Sequence, residues 1–143
     1  MKNLRIFVVI IGVIAILETI FFSINYNRVQ KKEYTINLFK LEEISSITID
    51  TLSQYDNKKE FKDEESIKEI YDVFTDKKTH IESVNDVPVN PDILYFIKFK
   101  NIAENSKSAY IYKKDNKYYI EQPYNGIYPI TEDEYTKIEK YIK

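Results

Sequence analysis

The chain has 143 residues, a formal net charge of −2 and no cysteine. The missing cysteine excludes disulfides, thiol nucleophiles, thiolate metal sites and a lipid anchor on an acylated cysteine. The length fits one domain with an appendage, not two full domains.

Charge is distributed unevenly along the chain. The first 32 residues carry five basic side chains and one acidic side chain, whereas the other 111 residues carry 16 basic and 22 acidic ones. A mildly acidic domain repels the phosphate backbone of DNA and RNA, so we expect no nucleic-acid partner.

The strongest hydrophobic feature is the run from residue 6 to residue 24, in which Glu18 is the main polar interruption. As a helix this run would be about 28 Å long, close to the hydrocarbon thickness of a bilayer. Lys2 and Arg5 precede it, as is typical of a cytoplasmic flank. We therefore predict a single-pass protein of the cell membrane, whose anchor contacts membrane lipid. Its predicted segments are a cytoplasmic tail at 1–5, a transmembrane anchor at 6–24, a polar spacer at 25–32 and an extracytoplasmic domain at 33–143.

Two other interpretations of the hydrophobic run stay open. A cleaved signal peptide has a shorter apolar stretch and a small-x-small cleavage pattern, which residues 21–25 lack. A buried helix of a soluble protein would show a polar face, and none interrupts residues 6–17. Near the outer end, the Glu18 carboxylate is expected either to reach the membrane interface or to contact a partner transmembrane helix.

The first part of the predicted domain combines short strands with one helix. Residues 34–38 alternate between apolar and polar, which predicts a strand or a continuation of the spacer, and residues 46–52 predict a clearer strand. Residues 59–62 are expected to return as the second strand of a hairpin. Asp63 is a favourable N-cap for a helix over 64–74. The predicted apolar face of this helix consists of Ile67, Ile70, Tyr71 and Phe74.

The middle of the domain alternates strands with an irregular stretch. Residues 79–84 predict a weak strand, and the prolines in 85–92 exclude a helix interior or a central strand there. Residues 93–100 predict the strongest strand, because apolar side chains occupy both of its faces at one end.

A hairpin follows, with strands at 108–113 and 117–122 around an Asp115-Asn116 turn. A two-residue turn places Tyr112 opposite Tyr119 and puts Tyr110 and Glu121 on the same face of the sheet.

The C-terminal part is predicted to hold a short segment at 127–130 and a last helix. Thr131 and Glu134 form a capping box for this helix, whose apolar face contains Tyr135, Ile138 and Ile142. The order of elements predicts an α+β fold, in which an N-terminal transmembrane helix precedes an antiparallel sheet with two packed helices.

Two stretches of the sequence, at 83–88 (SVNDVP) and 118–128 (YYIEQPYNGIY), resemble a known family. It is an uncharacterised domain-of-unknown-function family of small membrane-anchored proteins from Gram-positive Firmicutes. The resemblance covers residues 40–143 and implies one domain exposed at the cell surface. It implies no catalytic residue for this chain.

Candidate catalytic and metal-binding residues are few. His80 is the single histidine, and a zinc site would need further nitrogen or thiolate ligands. The acidic run at 132–134 lies at a helix start, where the helix dipole favours carboxylates. Glu121 lies among tyrosines and is the best acid for a glycosidase, but no partner carboxylate is indicated. We therefore predict no metal, no cofactor and no enzymatic activity.

The tyrosine-rich C-terminal part is the best candidate for a binding surface, because tyrosine is rigid and amphipathic. The alternative is that these tyrosines cover the sheet as ordinary strand residues. At the turn near Pro123, Gly126 can adopt a positive φ that other residues resist. The predicted partner-binding residues are Tyr110, Tyr112, Tyr119, Glu121, Tyr124 and Tyr128.

These patterns favour a membrane-tethered, extracytoplasmic interaction domain of accessory, sensor or immunity type. The expected partner is a protein or a cell-wall component at the outer face of the membrane. The alternative function is a cell-envelope enzyme that acts on glycan or peptide through Glu121.

Overall fold

The computed structural model describes residues 12–23, 32–52 and 57–143. The chain divides into a unit at 1–32 and a unit at 33–143, which is called the domain below. In the first unit, residues 12–23 are helical and form α1. Across the described ranges, no helix combines the length and the apolarity needed to span a membrane. The described residues do not include the predicted tail at 1–5, residues 6–11 and 24 of the predicted anchor, or residues 25–31 of the predicted spacer.

The domain combines short helices with a larger set of strands. Its helices are α2 (Glu64–Phe74), α3 (Glu132–Glu139) and a single 3-10 turn (Leu41–Glu43). Its strands are β1 (Tyr34–Thr35), β2 (Ile44–Thr51), β3 (Asn57–Phe61), β4 (Lys78–Thr79), β5 (Ile93–Asn101), β6 (Ser106–Lys114), β7 (Lys117–Gln122) and β8 (Gly126–Ile130).

Six of these strands form one antiparallel sheet in the order β3-β2-β5-β6-β7-β8. Every neighbouring pair in this sheet is antiparallel. The two-residue strands β1 and β4 pair with each other in a separate small sheet. The structure confirms the predicted α+β class and the antiparallel sheet.

One face of the large sheet, called the helix face, packs against α2 and α3. Alternation along the strands points Ile49, Ile97, Ile111 and Ile120 to this face, and all four are fully buried. The Phe74 ring on α2 meets the Phe99 ring on β5 edge to face, with 5.1 Å between the ring centroids. This face holds the main hydrophobic core of the domain.

Local capping explains where the helices begin. The Asp63 side chain accepts a hydrogen bond of 2.8 Å from the backbone N–H of Ser66, and this bond lowers the pKa of Asp63. Thr131 and Glu134 form the capping box predicted for α3. Both helix starts are therefore encoded locally.

The predicted hairpin is confirmed, together with its register. Asp115 and Asn116 adopt φ values of 50° and 57°, the left-handed conformation that a type I′ turn requires. Tyr112 then pairs with Tyr119, and Tyr110 pairs with Glu121.

The predicted strand at 79–84 is not continuous: β4 ends at Thr79, and beyond it Glu82 makes a single antiparallel bridge to Gly126. After β4 the chain leaves the strand and crosses the sheet on the face opposite the helices; we call residues 81–92 the strap. Main-chain hydrogen bonds hold both of its ends, from Ile127 N to Ile81 O (2.9 Å) and from Asp92 N to Lys113 O (2.8 Å). The prolines at 88 and 91 prevent a regular ladder over the strap. The predicted strand at 34–38 is likewise limited to Tyr34–Thr35.

Candidate functional site

The hairpin tyrosines lie on the face opposite the helices, as the register requires, but most of them are buried. Tyr110 and Tyr112 are 8% and 5% exposed, although neither α2 nor α3 packs on that side. Tyr119 is half-buried, and its ring stacks on Tyr112 with centroids 5.3 Å apart. The strap covers this face, so the prediction of an open tyrosine surface is wrong for Tyr110 and Tyr112.

Glu121 is buried under the strap and fixes it to the sheet. Its side chain is 2% exposed, and its Oε1 accepts a hydrogen bond of 2.6 Å from the Ser83 hydroxyl of the strap. Burial raises the pKa of the neighbouring Tyr112, and the Glu121 charge raises it further. Glu121 therefore has no access to a partner, and its contacts are structural.

Tyr128 lies on the helix face and is fully buried in the core, so it also is not a binding residue. Its packing explains the neighbouring glycine. A Cβ on Gly126 would lie 2.8 Å from both Thr79 Cγ2 and the Tyr128 hydroxyl oxygen. Gly126 does not use the positive φ that glycine can adopt; a larger residue is excluded because no space is left beside it.

Tyr124 is the predicted binding residue that the structure leaves exposed. Its side chain is 67% exposed, and its own φ is 56°, a conformation that a bulky residue rarely adopts. A hydrogen bond from Asn125 N to Gln122 O (3.0 Å) closes the turn around it. The Asp86 carboxylate of the strap lies close enough to the Tyr124 hydroxyl to raise the Tyr124 pKa. The closed turn thus presents the ring to solvent.

An open cleft of about 530 Å³ adjoins Tyr124 where β7 ends. Its lining is mostly polar and combines the β7–β8 turn, the start of β6 and the segment after β1. The lining residues are Asn37, Ser106, Lys107, Ser108, Gln122, Pro123, Tyr124 and Asn125.

Gln122 and Asn125 organise the wall of this cleft. The Gln122 side chain accepts from Asn37 N (2.8 Å) and donates to Asn37 O (3.1 Å), as a neighbouring strand would. Asn125 Nδ2 donates to Thr35 O and to Gln122 Oε1, both at 2.7 Å. The wall is therefore rigid, because each amide makes more than one hydrogen bond.

Lys107 supplies a positive charge in the lining of the cleft, and its ammonium group is hydrogen-bonded within the domain. Its Nζ donates to Asn37 Oδ1 (2.7 Å) and Leu38 O (3.1 Å), and it lies 4.5 Å from the centre of the Phe39 ring. Sequence reasoning missed Asn37, Lys107, Ser108 and Gln122 as cleft residues, because long-range pairing alone brings them together. The one available signal was Pro123, which ends a strand beside a turn.

The other polar candidates behave as ordinary structural residues. His80 is exposed. In the acidic run, Glu132 accepts a hydrogen bond of 2.9 Å from the Tyr118 hydroxyl, and Glu134 caps α3 and forms an ion pair with Lys77. Within the described residues, no group of three or more histidines and carboxylates is placed to hold a metal ion.

The two stretches that resemble the known family contact each other in the fold. The stretch at 83–88 lies in the strap, and the stretch at 118–128 spans β7 and the Tyr124 turn. Ser83 binds Glu121 through its hydroxyl and Asn125 O through its main-chain N–H, and the Asp86 carboxylate raises the pKa of Tyr124. The resemblance therefore rests on one three-dimensional unit.

Comparison with known proteins places the domain in a family. The DUF5301 family, described as "Domain of unknown function (DUF5300)", matches residues 32–129. An NMR structure of a protein from Ruminococcus gnavus is 33% identical, with a TM-score of 0.57, and the match covers 70% of this chain and 98% of that one. No curated protein matches significantly. The predicted membership in a domain-of-unknown-function family is confirmed, while the Gram-positive source and the membrane anchor stay predictions. The chain belongs to the DUF5301 family.

Proposed function

We propose that the domain is a non-enzymatic interaction module, which residues 6–24 hold at the outer face of the cell membrane. It meets a protein or cell-wall partner through Tyr124 and the adjoining cleft, in an accessory, sensor or immunity role. The proposed anchor rests on the length and apolarity of residues 6–24 in the sequence. The similar protein from Ruminococcus gnavus is consistent with a Gram-positive source.

The observation that carries this proposal is the conformation of Tyr124. A non-glycine residue at φ 56° costs about 1–3 kcal/mol and persists only where its surroundings impose the conformation. The exposed ring gains little packing within the domain, so stability does not account for a tyrosine at this position. An aromatic ring on a closed turn beside a polar cleft lowers the entropy cost of binding, which supports a role in recognition.

The alternative of an envelope enzyme has less support. Its best acid, Glu121, is buried and accepts a hydrogen bond from Ser83. A hydrolase would need that carboxylate to face a substrate.

Capture of partners from membranes tests the proposed surface. The full chain and its Tyr124→Ala variant are crosslinked in native membranes, and captured proteins and glycans are quantified. We expect capture to fall at least tenfold with a nearly unchanged melting temperature. The matched control is Val89→Ala, which also truncates an exposed side chain (54% exposed). Its carbonyl oxygen accepts a hydrogen bond from Lys114 beside the Asp115-Asn116 turn, so Val89 lies near the tip of the hairpin and outside the proposed surface. Full capture by a stable Tyr124→Ala variant would place the binding surface elsewhere.

Protease treatment of intact protoplasts tests the proposed topology. Protease should remove residues 33–143 and leave a short membrane fragment. Complete protection of the domain would reject an extracytoplasmic location, and quantitative release of the domain into the medium would reject the uncleaved anchor.

A further inference from the structure

The cleft lies beside a part of β6 whose main chain is paired on one side only. In an antiparallel strand, successive residues direct their N–H and C=O groups to opposite neighbours. The hydrogen bond from Asn101 N to Asn105 O shows that odd-numbered residues of this strand point to β5. At the other end, Lys114 and Lys117 flank a two-residue turn, so even-numbered residues point to β7. Ser106 and Ser108 therefore direct their main-chain groups to the β7 side.

On that side β7 ends before it can pair with Ser108 and Ser106. The β6–β7 pairing stops at Tyr110 and Glu121, although β6 begins at Ser106. Pro123 has no N–H to continue the ladder, and the Tyr124 turn then reverses the chain toward β8. In the part of the chain that the structure describes, no hydrogen bond reaches the main chain of Ser106 or Ser108 from the β7 side.

The polar groups of the cleft are suited to binding an extended peptide strand and not an anion. The Lys107 ammonium is engaged by Asn37 and Leu38, so it is a poor site for a phosphate or a carboxylate. The space beside Ser106 and Ser108 on the β7 side is called the notch below. It offers two N–H and two C=O groups at the spacing of a strand edge, next to the small serine side chains. A segment of three extended residues would make up to about four main-chain hydrogen bonds there.

We propose that this notch binds an extended segment of a partner protein, which adds to β6 in the place that β7 vacates. This inference rests on the proposed function and names the partner class as polypeptide. The partner pairs with Ser106 and Ser108 through its main chain. Its side chains on the strap side lie next to the Tyr124 ring, which supplies an aromatic contact.

Hydrogen exchange followed by NMR provides the direct test. Peptides are selected on the full chain from a random-sequence library, and amide exchange is measured with and without the best peptide. In the free protein, the Lys107 and Ala109 amides should exchange slowly because they bond to β5, whereas Ser106 and Ser108 should exchange fast. Bound peptide should slow exchange at Ser106 and Ser108 at least tenfold. Bound peptide without this protection overturns the inference.

Two substitutions at one position separate main-chain from side-chain recognition. Ser108→Pro removes the N–H that faces the notch and leaves the β5 side intact, so peptide affinity should fall roughly tenfold or more. Ser108→Ala keeps the N–H and should change affinity less than about twofold. If Ser108→Pro unfolds, Ser106→Pro at the first position of β6 replaces it. Equal losses for Ser108→Pro and Ser108→Ala overturn main-chain pairing.

The remaining outcomes distinguish this inference from the proposed function. If no peptide is selected and a neutral N-acetylglucosamine oligomer binds instead, the partner is a saccharide and the inference fails. If Ser106 and Ser108 become protected only as protein concentration rises, the partner is a second copy and the inference fails. If Tyr124→Ala abolishes capture from membranes while Ser108→Pro does not, the proposed function stands without the strand pairing.

Discussion

Replacing Gly126 by alanine should destabilise the domain, although the residue has an ordinary φ. The added Cβ would lie 2.8 Å from Thr79 Cγ2 and from the Tyr128 hydroxyl oxygen, and 2.9 Å from Tyr128 Cζ. Carbon atoms in contact prefer about 3.5–4.0 Å, so the neighbours must move. Tyr128 is fully buried, and Gly126 is paired with Gln122 on one side and Glu82 on the other. Little room for adjustment is therefore available.

The expected magnitude follows from two opposing effects. Overpacking a tight site costs about 1–3 kcal/mol. Alanine restricts the unfolded chain more than glycine does, which returns about 0.4–1 kcal/mol. The Gly126→Ala variant should therefore lose about 1–2 kcal/mol of unfolding free energy, or about 4–8 °C in Tm for a domain of this size. Urea denaturation followed by circular dichroism measures the change.

A double-mutant cycle identifies the atoms responsible. The Tyr128 hydroxyl is buried and finds no hydrogen-bond partner among the described residues, so Tyr128→Phe alone should be neutral or slightly stabilising. In the Tyr128→Phe background, Gly126→Ala should cost at least ~0.5 kcal/mol less than in the native chain. Gly12→Ala serves as the control, because no atom lies within 4 Å of the added Cβ. A Gly126→Ala variant as stable as the native protein would show that the site is not tightly packed.

Three further predictions concern the core, the strap and alkaline pH. Ile97→Ala should cost about 2–5 kcal/mol in urea denaturation, because Ile97 is fully buried in a central strand; a loss below about 1 kcal/mol would contradict its central position. Ser83→Ala should cost about 1–3 kcal/mol by removing a donor from buried Glu121, and an unchanged midpoint would show that this bond does not hold the strap. Burial raises the pKa of Tyr128 from 10.0 to about 12, so its contribution is complete below pH 10 and is lost as pH rises toward 12. Between pH 10 and 12 the native protein should therefore lose about 2–3 kcal/mol more than Tyr128→Phe, in which the other buried tyrosines still titrate; identical alkaline profiles for the two proteins would refute this assignment.

The elements that were predicted well depend on neighbours close in sequence. Asp63 and the Thr131–Glu134 box begin their helices by bonding groups three residues away. The Asp115-Asn116 turn sets the register of the hairpin in the same local way. Each of these interactions is complete within a few residues, so the order of residues is sufficient to predict it.

The errors at Tyr110, Tyr112 and Glu121 have one physical origin. Alternation predicts which residues share a face of a strand, and Tyr110, Tyr112 and Glu121 do share one. It cannot predict whether a distant segment covers that face. The strap does so through Ser83, which lies 38 residues from Glu121 in the chain. The exposed surface therefore shrinks to Tyr124 and its cleft.

Residue types at short spacing were sufficient to predict the strand and helix periodicities, the caps, the tight turn, the absence of thiol chemistry and the family resemblance. Contacts between distant segments place Tyr128 in the core, give Tyr124 a positive φ and leave β6 extending past the end of β7. Those features arise where segments far apart in the chain compete for the same space. The sequence does not show whether a glycine such as Gly126 is needed for a turn or for space beside a buried ring. Only the packing around it distinguishes the two roles.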